Sequence, residues 1–240
     1  MLTFLRKIRK SLIDSSSARK YLLYAIGEIA LVVIGILIAL QINNWNEWRK
    51  ERIQEKNVLL DLAANLSRNI SLANEAILSI EKINNSGKIA IMSIQQKWPY
   101  ADSLSYHYGQ MLRSGSYIFT INKDGYESFK NIGFEILTNK ELRNEIIALF
   151  EVSFREYEND VQVTNEIWGN DTSWWNDYFY TDLESGIIPI DYEHLHEKNA
   201  VLNIIKTLLQ QRVKLISDLK MIISRSSIVL QLVNDELENH

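Results

Sequence analysis

The sequence predicts an all-α protein in which an N-terminal transmembrane helix continues into an antiparallel helical bundle of about four long helices. Three observations predict it. An apolar run from Tyr21 to Leu40, YLLYAIGEIALVVIGILIAL, holds a single charge, Glu28. Beyond it, apolar residues recur at helical spacing through much of the chain. Breakers are scarce, with two prolines and nine glycines in 240 residues, which favours long helices over turn-rich β structure.

Length suits a membrane anchor plus one domain of roughly 190 residues, and a hydrophobic content of 46% is enough for a core. The division expected is a basic cytoplasmic segment over 1–20, a transmembrane helix over 21–42 and a periplasmic helical domain over 43–240. Arg6, Lys7, Arg9, Lys10, Arg19 and Lys20 face only Asp14 in the first segment, whereas acids outnumber bases in the rest of a chain of net charge −4. A basic tip before an acidic body is a topology signal, and nothing in the body suggests a nucleic-acid surface. The absence of cysteine excludes disulfides, thiolate catalysis and cysteine-ligated metal.

At about 1.5 Å per residue, the apolar run spans about 30 Å, the thickness of a hydrocarbon core. Ala39-Leu40-Gln41 is not a small-x-small cleavage site, so the run is expected to stay as an anchor and not to leave as a signal peptide. The basic excess before it places the N-terminus in the cytoplasm and the body across an inner membrane. Tyr21 and Tyr24 at one end and Trp45 and Trp48 at the other suit an aromatic belt. Leu2, Phe4, Leu5, Ile8 and Leu12, interleaved with bases, form either an amphipathic helix lying on an anionic leaflet or a plain orienting tail.

Tyr24, Glu28, Leu31, Gly35 and Ala39 share one face of the span. Gly35 and Ala39 make a small-xxx-small pair that admits another helix closely. A carboxylate inside a bilayer is costly, so this face is expected to pack against a partner helix, from a second copy or another membrane protein. The alternative is a Glu28 that snorkels to the headgroups.

The helix is expected to run on from the span. Leu59, Ala63, Leu66, Ile70, Ala73, Ile77 and Ile80 form a heptad seam, Asn84-Asn85-Ser86-Gly87 breaks or kinks it, and Trp98-Pro99 ends the region. Tyr117 to Ile121 forms a short strand or extended loop. A helix restarts near Tyr126 and is interrupted at Gly133. Thr138 and Glu141 then make a capping box for a helix whose buried face is Leu142, Ile146, Leu149, Phe150, Phe154, Tyr157 and Val161. The last helix starts near Asp191 or Lys198 and buries Val201, Ile205, Leu208, Leu215, Leu219, Ile222, Val229 and Val233, with Arg212 and Ser226 on the same seam.

Residues 168–190 are an aromatic-rich loop. Trp168, Trp174, Trp175 and Tyr178 are candidates either to stack a planar or sugar ligand or to cap the bundle end. His194-Leu195-His196 has metal-ligand residue types, but i and i+2 point about 200° apart on a helix, which argues against a shared ion. No nucleophile elbow, phosphate loop or cofactor motif is present. Asn65-Leu66-Ser67 and Asn69-Ile70-Ser71 are glycosylation sequons, relevant only in a eukaryotic secretory route.

The stretch from Lys20 to Ile29, KYLLYAIGEI, and that from Leu31 to Glu47, LVVIGILIALQINNWNE, resemble a family of Gram-negative bacterial single-span membrane proteins classed as a domain of unknown function. The tip Phe4-Leu5-Arg6-Lys7-Ile8-Arg9 and the patch from Gly125 to Lys130 leading to Asn139–Ile146 resemble it more loosely. The resemblance implies an inner-membrane location, a helical periplasmic domain and an intramembrane glutamate matched by Glu28. It brings no activity and no cofactor.

The expected function is a membrane-anchored periplasmic binding or interaction module acting through a partner. Twenty residues before the span are too few for an output domain, so a signal would pass sideways through the span. Alternatives are an envelope structural or assembly factor that oligomerises along the heptad seam, and a stator-like subunit using the Glu28 carboxylate. An enzyme is the least expected class, since no constellation of catalytic residues stands out.

Overall fold

A computed structural model describes residues 18–112, 119–169, 176–184 and 186–239. Helix α1 spans Ala18–Gln95. It runs through both of two compact units, Met1–Gln54 and Glu55–His240. The N-terminal stripe of Leu2 to Leu12 lies outside the described residues.

In the first unit, α1 carries the one stretch among the described residues that is long and apolar enough to cross a membrane, and none of that stretch is buried. The span residues described from Leu22 to Ile42 are exposed, with partial cover only at Ala25 and Glu28. Just beyond, Asn43 Nδ2 donates to Glu47 Oε1 at 3.0 Å. The Arg49 guanidinium lies 5.8 Å from the Trp45 ring centroid, a cation–π distance.

The second unit is a helical domain with one small hairpin. After α1 come α2 (Ser103–Leu112), α3 (Asp124–Ile132) and α4 (Lys140–Ala148). A π-turn over Leu149–Ser153 joins α4 to α5 (Phe154–Gly169). Strands β1 (Phe179–Asp182) and β2 (Gly186–Pro189) pair antiparallel, Phe179 opposite Pro189 and Asp182 opposite Gly186. Helix α6 (Asn199–Glu238) closes the chain. The expected count of about four long helices therefore becomes two long helices and one composite of α4, π-turn and α5, with α2 and α3 short. Helix α3 stops early because Gly133 adopts φ +106°, a conformation open to glycine and costly for other residues.

The long elements alternate in direction. Gly87 of α1 meets Leu209 of α6, while Val58 and Leu59 share a core with Val229 and Val233. Asn139 bonds Glu236, Ser153 bonds Arg225, and Asp160 pairs with Lys214. The main core joins Leu59, Leu62 and Leu66 of α1 to Phe129 of α3, Phe154 of α5, and Leu219 and Ile222 of α6. Each such side chain removed from water contributes about 1.5–3 kcal/mol. A second core joins Ala90 and Ile94 to Tyr108, Met111, Phe179, Leu195 and Ile205.

Several expectations change. The seam of α1 is broader than expected: Leu59, Leu66, Ala73, Ile77 and Ile80 are buried as expected, Ala63 and Ile70 are only half-buried, and Leu62, Asn69, Ala76 and Ile83 are buried beside them. The sequence pattern hid this because Asn69 is polar and Ala76 small. The seam is interior to this chain's own fold. No break occurs at Asn84–Gly87, which is helical throughout. A Cβ at Gly87 would lie 2.7 Å from Leu209 Cδ2, so glycine there admits α6 and packing overrides its poor helix propensity. The cap of α4 is Asn139, whose side chain accepts the Leu142 N–H at 3.1 Å, and not Thr138, whose N–H instead donates to Glu55 Oε1. The aromatic segment expected as loop contains the hairpin. Of Tyr117 to Ile121, expected as a short strand or an extended loop, Tyr117 and Ile118 lie outside the described residues, and 119–123 are the loop alternative; the Asn69 side chain holds them, accepting from the Asn122 N–H at 3.0 Å and donating to its carbonyl at 2.9 Å. The buried stripes of α4–α5 and α6 lie where periodicity put them, including Arg212 and Ser226, with Val161 only half-buried.

Candidate functional site

Tyr24, Glu28, Leu31, Gly35 and Ala39 occupy helical positions on the span. Tyr24, Leu31, Gly35 and Ala39 are exposed, and a Cβ at Gly35 would meet nothing within 4 Å. Among the described residues this face is exposed apart from a half-covered Glu28, and it is sterically open at Gly35.

Of the aromatic candidates, Tyr178 is half-buried against the second core, and its carbonyl accepts the Ile190 N–H at 2.9 Å. Trp168 ends within α5 but its side chain, like Trp174 and Trp175, lies outside the described residues. Phe179, next to Tyr178, is fully buried, 5.2 Å from the Tyr108 ring. Tyr178 and Phe179 therefore belong to the domain core.

A different aromatic cluster lines an open cleft of about 670 Å³ at the C-terminal end of α1, within the volume range of small-molecule sites. Trp98, Pro99 and Tyr100 form one wall, and Ile190, Asp191, Tyr192, Glu193 and His196 the other, with Ser93, Ile94 and Lys97 also lining it. The helix end shapes it. The Trp98 N–H donates to the Ser93 carbonyl at 3.0 Å and the Lys97 N–H to Ile94 at 3.3 Å, closing α1 in a Schellman pattern. That pattern calls for glycine at the left-handed position, yet Lys97 stands there with φ +54°, a strained choice for a residue bearing a Cβ.

The floor is polar but satisfied. Ser93 Oγ, fully buried, donates to the Ala90 carbonyl at 2.8 Å and lies 3.0 Å from the Tyr108 hydroxyl. A hydroxyl has one proton, so Tyr108 donates to Ser93. Burial pushes the Tyr108 phenol well above its ordinary range. Across the cleft the Tyr192 hydroxyl reaches toward the Ser93 carbonyl at 3.5 Å, and the Tyr100 and Tyr192 rings meet edge to face at 5.2 Å. The Trp98 indole N–H is held by Gln96 at 3.0 Å.

His194 precedes and His196 lies within a 3₁₀ turn, Leu195–Glu197, whose first residue, Leu195, is buried. His194 Nδ1 pairs with Asp191 at 3.0 Å, an interaction that raises the imidazole above its usual value and lowers the carboxyl. His196 Nδ1 donates instead to the Glu193 carbonyl at 2.8 Å. The two rings serve separate local contacts. The sequons are structural as well: Asn69 is fully buried, and Asn65 Oδ1 accepts the Gly125 N–H at 2.7 Å.

Periodicity missed the cleft because its walls lie about ninety residues apart in sequence. The available signal was local: three consecutive ring-bearing residues, Trp98-Pro99-Tyr100, directly after a helix end.

The architecture is that of a helical domain carried on a helix with one membrane-grade stretch. The family of unknown function DUF6090 matches residues 28–159, over half of the chain, and the protein belongs to that family. The match includes Glu28, Asn65, Asn69 and the Lys97–Tyr100 wall. No curated protein and no solved structure matches the chain.

Proposed function

We propose that this protein is a single-pass inner-membrane protein of a Gram-negative bacterium, with its basic N-terminus in the cytoplasm and its helical domain in the periplasm. It acts as a binding or interaction module, coupled to a membrane partner through the face of Tyr24, Glu28, Leu31, Gly35 and Ala39. The observation that carries this reading is the apolar stretch of α1, none of which is buried among the described residues: an exposed helix of that composition has no stable place in water. Supporting it, Trp45 and Trp48 are exposed beyond the stretch, as interfacial anchors are, and Gly35 is open to a neighbour. No nucleic acid and no cofactor enter the reading, and it includes no enzymatic step.

The test is a topology reporter fused after residue 50, with alkaline carbonate extraction of the intact chain. Periplasmic activity and retention in the pellet are expected. A reporter active only in the cytosol, or a chain that washes off, overturns the topology. Cysteine crosslinking at position 35 against position 33 then tests the face, and equal yields remove it.

A further inference from the structure

We propose that the cleft at the end of α1 is a saccharide site, with Trp98, Tyr100 and Tyr192 as stacking surfaces and Lys97, Asp191, Glu193 and His196 as its polar fringe. The volume of about 670 Å³ accommodates one or two sugar rings with water.

The rings come first. Trp98 and Tyr100 are 37% and 38% exposed, a large apolar area to leave against water. The Trp98 indole N–H is already bonded to Gln96, so the ring has its π-face and not its polar edge to offer. The axial C–H face of a pyranose fits that surface. Tyr100 and Tyr192 meet edge to face, which leaves no parallel slot of the kind that sandwiches a flat base.

The charges decide among ligands. Lys97, Asp191 and Glu193 all line the cleft. A phosphate would meet two carboxylates, and an organic cation would meet a lysine. A neutral polyhydroxyl ligand uses both signs at once: its hydroxyls donate to carboxylates and accept from the ammonium. Lys97 adds an independent observation. Its left-handed backbone is one where glycine would be unstrained, yet a lysine stands there, among the residues that line the cleft. Strain of this kind persists where the surroundings hold it, and it clusters at ligand sites.

Full-length protein in phosphatidylglycerol nanodiscs, free of glycosidic detergent, is titrated with maltose, cellobiose, lactose and chitobiose, and separately with choline chloride and inorganic phosphate, using saturation-transfer NMR. Saturable binding of at least one disaccharide is expected, with transfer strongest to ring C–H protons. Trp98→Ala should weaken it at least tenfold. Lys97→Gly separates function from architecture: melting should rise while affinity falls severalfold. The proposal is overturned by no saturation with any of the four sugars, by choline or phosphate binding in their place, or by sugar binding indifferent to Trp98→Ala. It is likewise overturned if Lys97→Gly raises melting and leaves affinity unchanged. A failed titration leaves the topology reporter's result standing, so the two readings fail separately.

Discussion

At Asn69 one side-chain replacement undoes two hydrogen bonds at once. Asn69 sits on the buried seam of α1 where an apolar residue would be ordinary, and its amide both donates to and accepts from the Asn122 backbone, at 2.9 and 3.0 Å. In effect the side chain is the strand partner that residues 119–123 otherwise lack. Asn69→Ala removes both bonds and leaves an N–H and a carbonyl to fend for themselves. Each unmet buried backbone group costs about 1–3 kcal/mol, and because this segment is only partly buried the pair should cost about 2–4 kcal/mol in total. At about 2–4 °C per kcal/mol for a domain of this size, melting should fall by roughly 4–16 °C, measured by far-UV circular dichroism of the full chain in nanodiscs. Asn69→Asp sharpens the test. It keeps the acceptor for the Asn122 N–H but turns a carboxylate toward the Asn122 carbonyl. Its folded-state pKa must then exceed its unfolded one, so the penalty is absent below the ordinary carboxylate value and grows as pH rises through the raised one. An Asn69→Ala variant that melts within 1 °C of the parent, or an Asn69→Asp penalty independent of pH, would refute the reasoning.

Glycine substitutions should rank by what a Cβ meets. Gly125→Ala places it 2.8 Å from Leu62 Cα and 2.9 Å from Leu62 N, rigid backbone in both cases, and should cost about 3 kcal/mol or more; Gly87→Ala meets the movable end of Leu209 and should cost about 1 kcal/mol, so a reversed order in urea or thermal denaturation defeats the packing argument. Gly35→Ile finds open space, so melting should not change, whereas crosslinking or partner recovery through the span should drop; unchanged recovery counts against the proposed face. Burial first, and then Asp160, holds the Asp218 carboxyl above its ordinary value, with Glu156 adding to the rise and Lys214 opposing it. The charged form is the penalised one, so Asp218→Asn should raise melting at neutral pH. That gain should fade as pH falls below the ordinary carboxylate value, where Asp218 is neutral folded and unfolded alike; a gain constant from pH 3 to 8 contradicts it.

The stripes that periodicity exposes were legible in advance. Leu142 to Val161 and, apart from Arg212 and Ser226, Val201 to Val233 have one apolar neighbour every third or fourth residue, a spacing that a helix brings to one side. The same holds for the N-terminal apolar stretch, which is broken only by Glu28 and is long and apolar enough to cross a membrane. What the pattern missed, it missed for local reasons. The companions of Leu59 on α1 include Asn69 and Ala76, and no apolar signal marks an asparagine that is buried in order to bond a backbone more than fifty residues away. The Asn-Asn-Ser-Gly run has the composition of a turn, but Gly87 and the buried Asn84 and Ser86 are held helical by neighbours. The hairpin at Phe179–Pro189 was concealed within an aromatic-rich stretch that lacks an alternating polar–apolar pattern.

By itself the sequence determined the helical class, the apolar span, its basic leader and the buried faces of the last two long helical runs, because these follow from spacing and side-chain type within one segment. Only the tertiary structure decided the full breadth of the α1 seam, the glycines that must stay glycine, and the meeting of Trp98 and Tyr100 with Tyr192. Those depend on atoms brought together from distant parts of the chain, and a one-dimensional pattern carries no record of which helix end will stand opposite which loop.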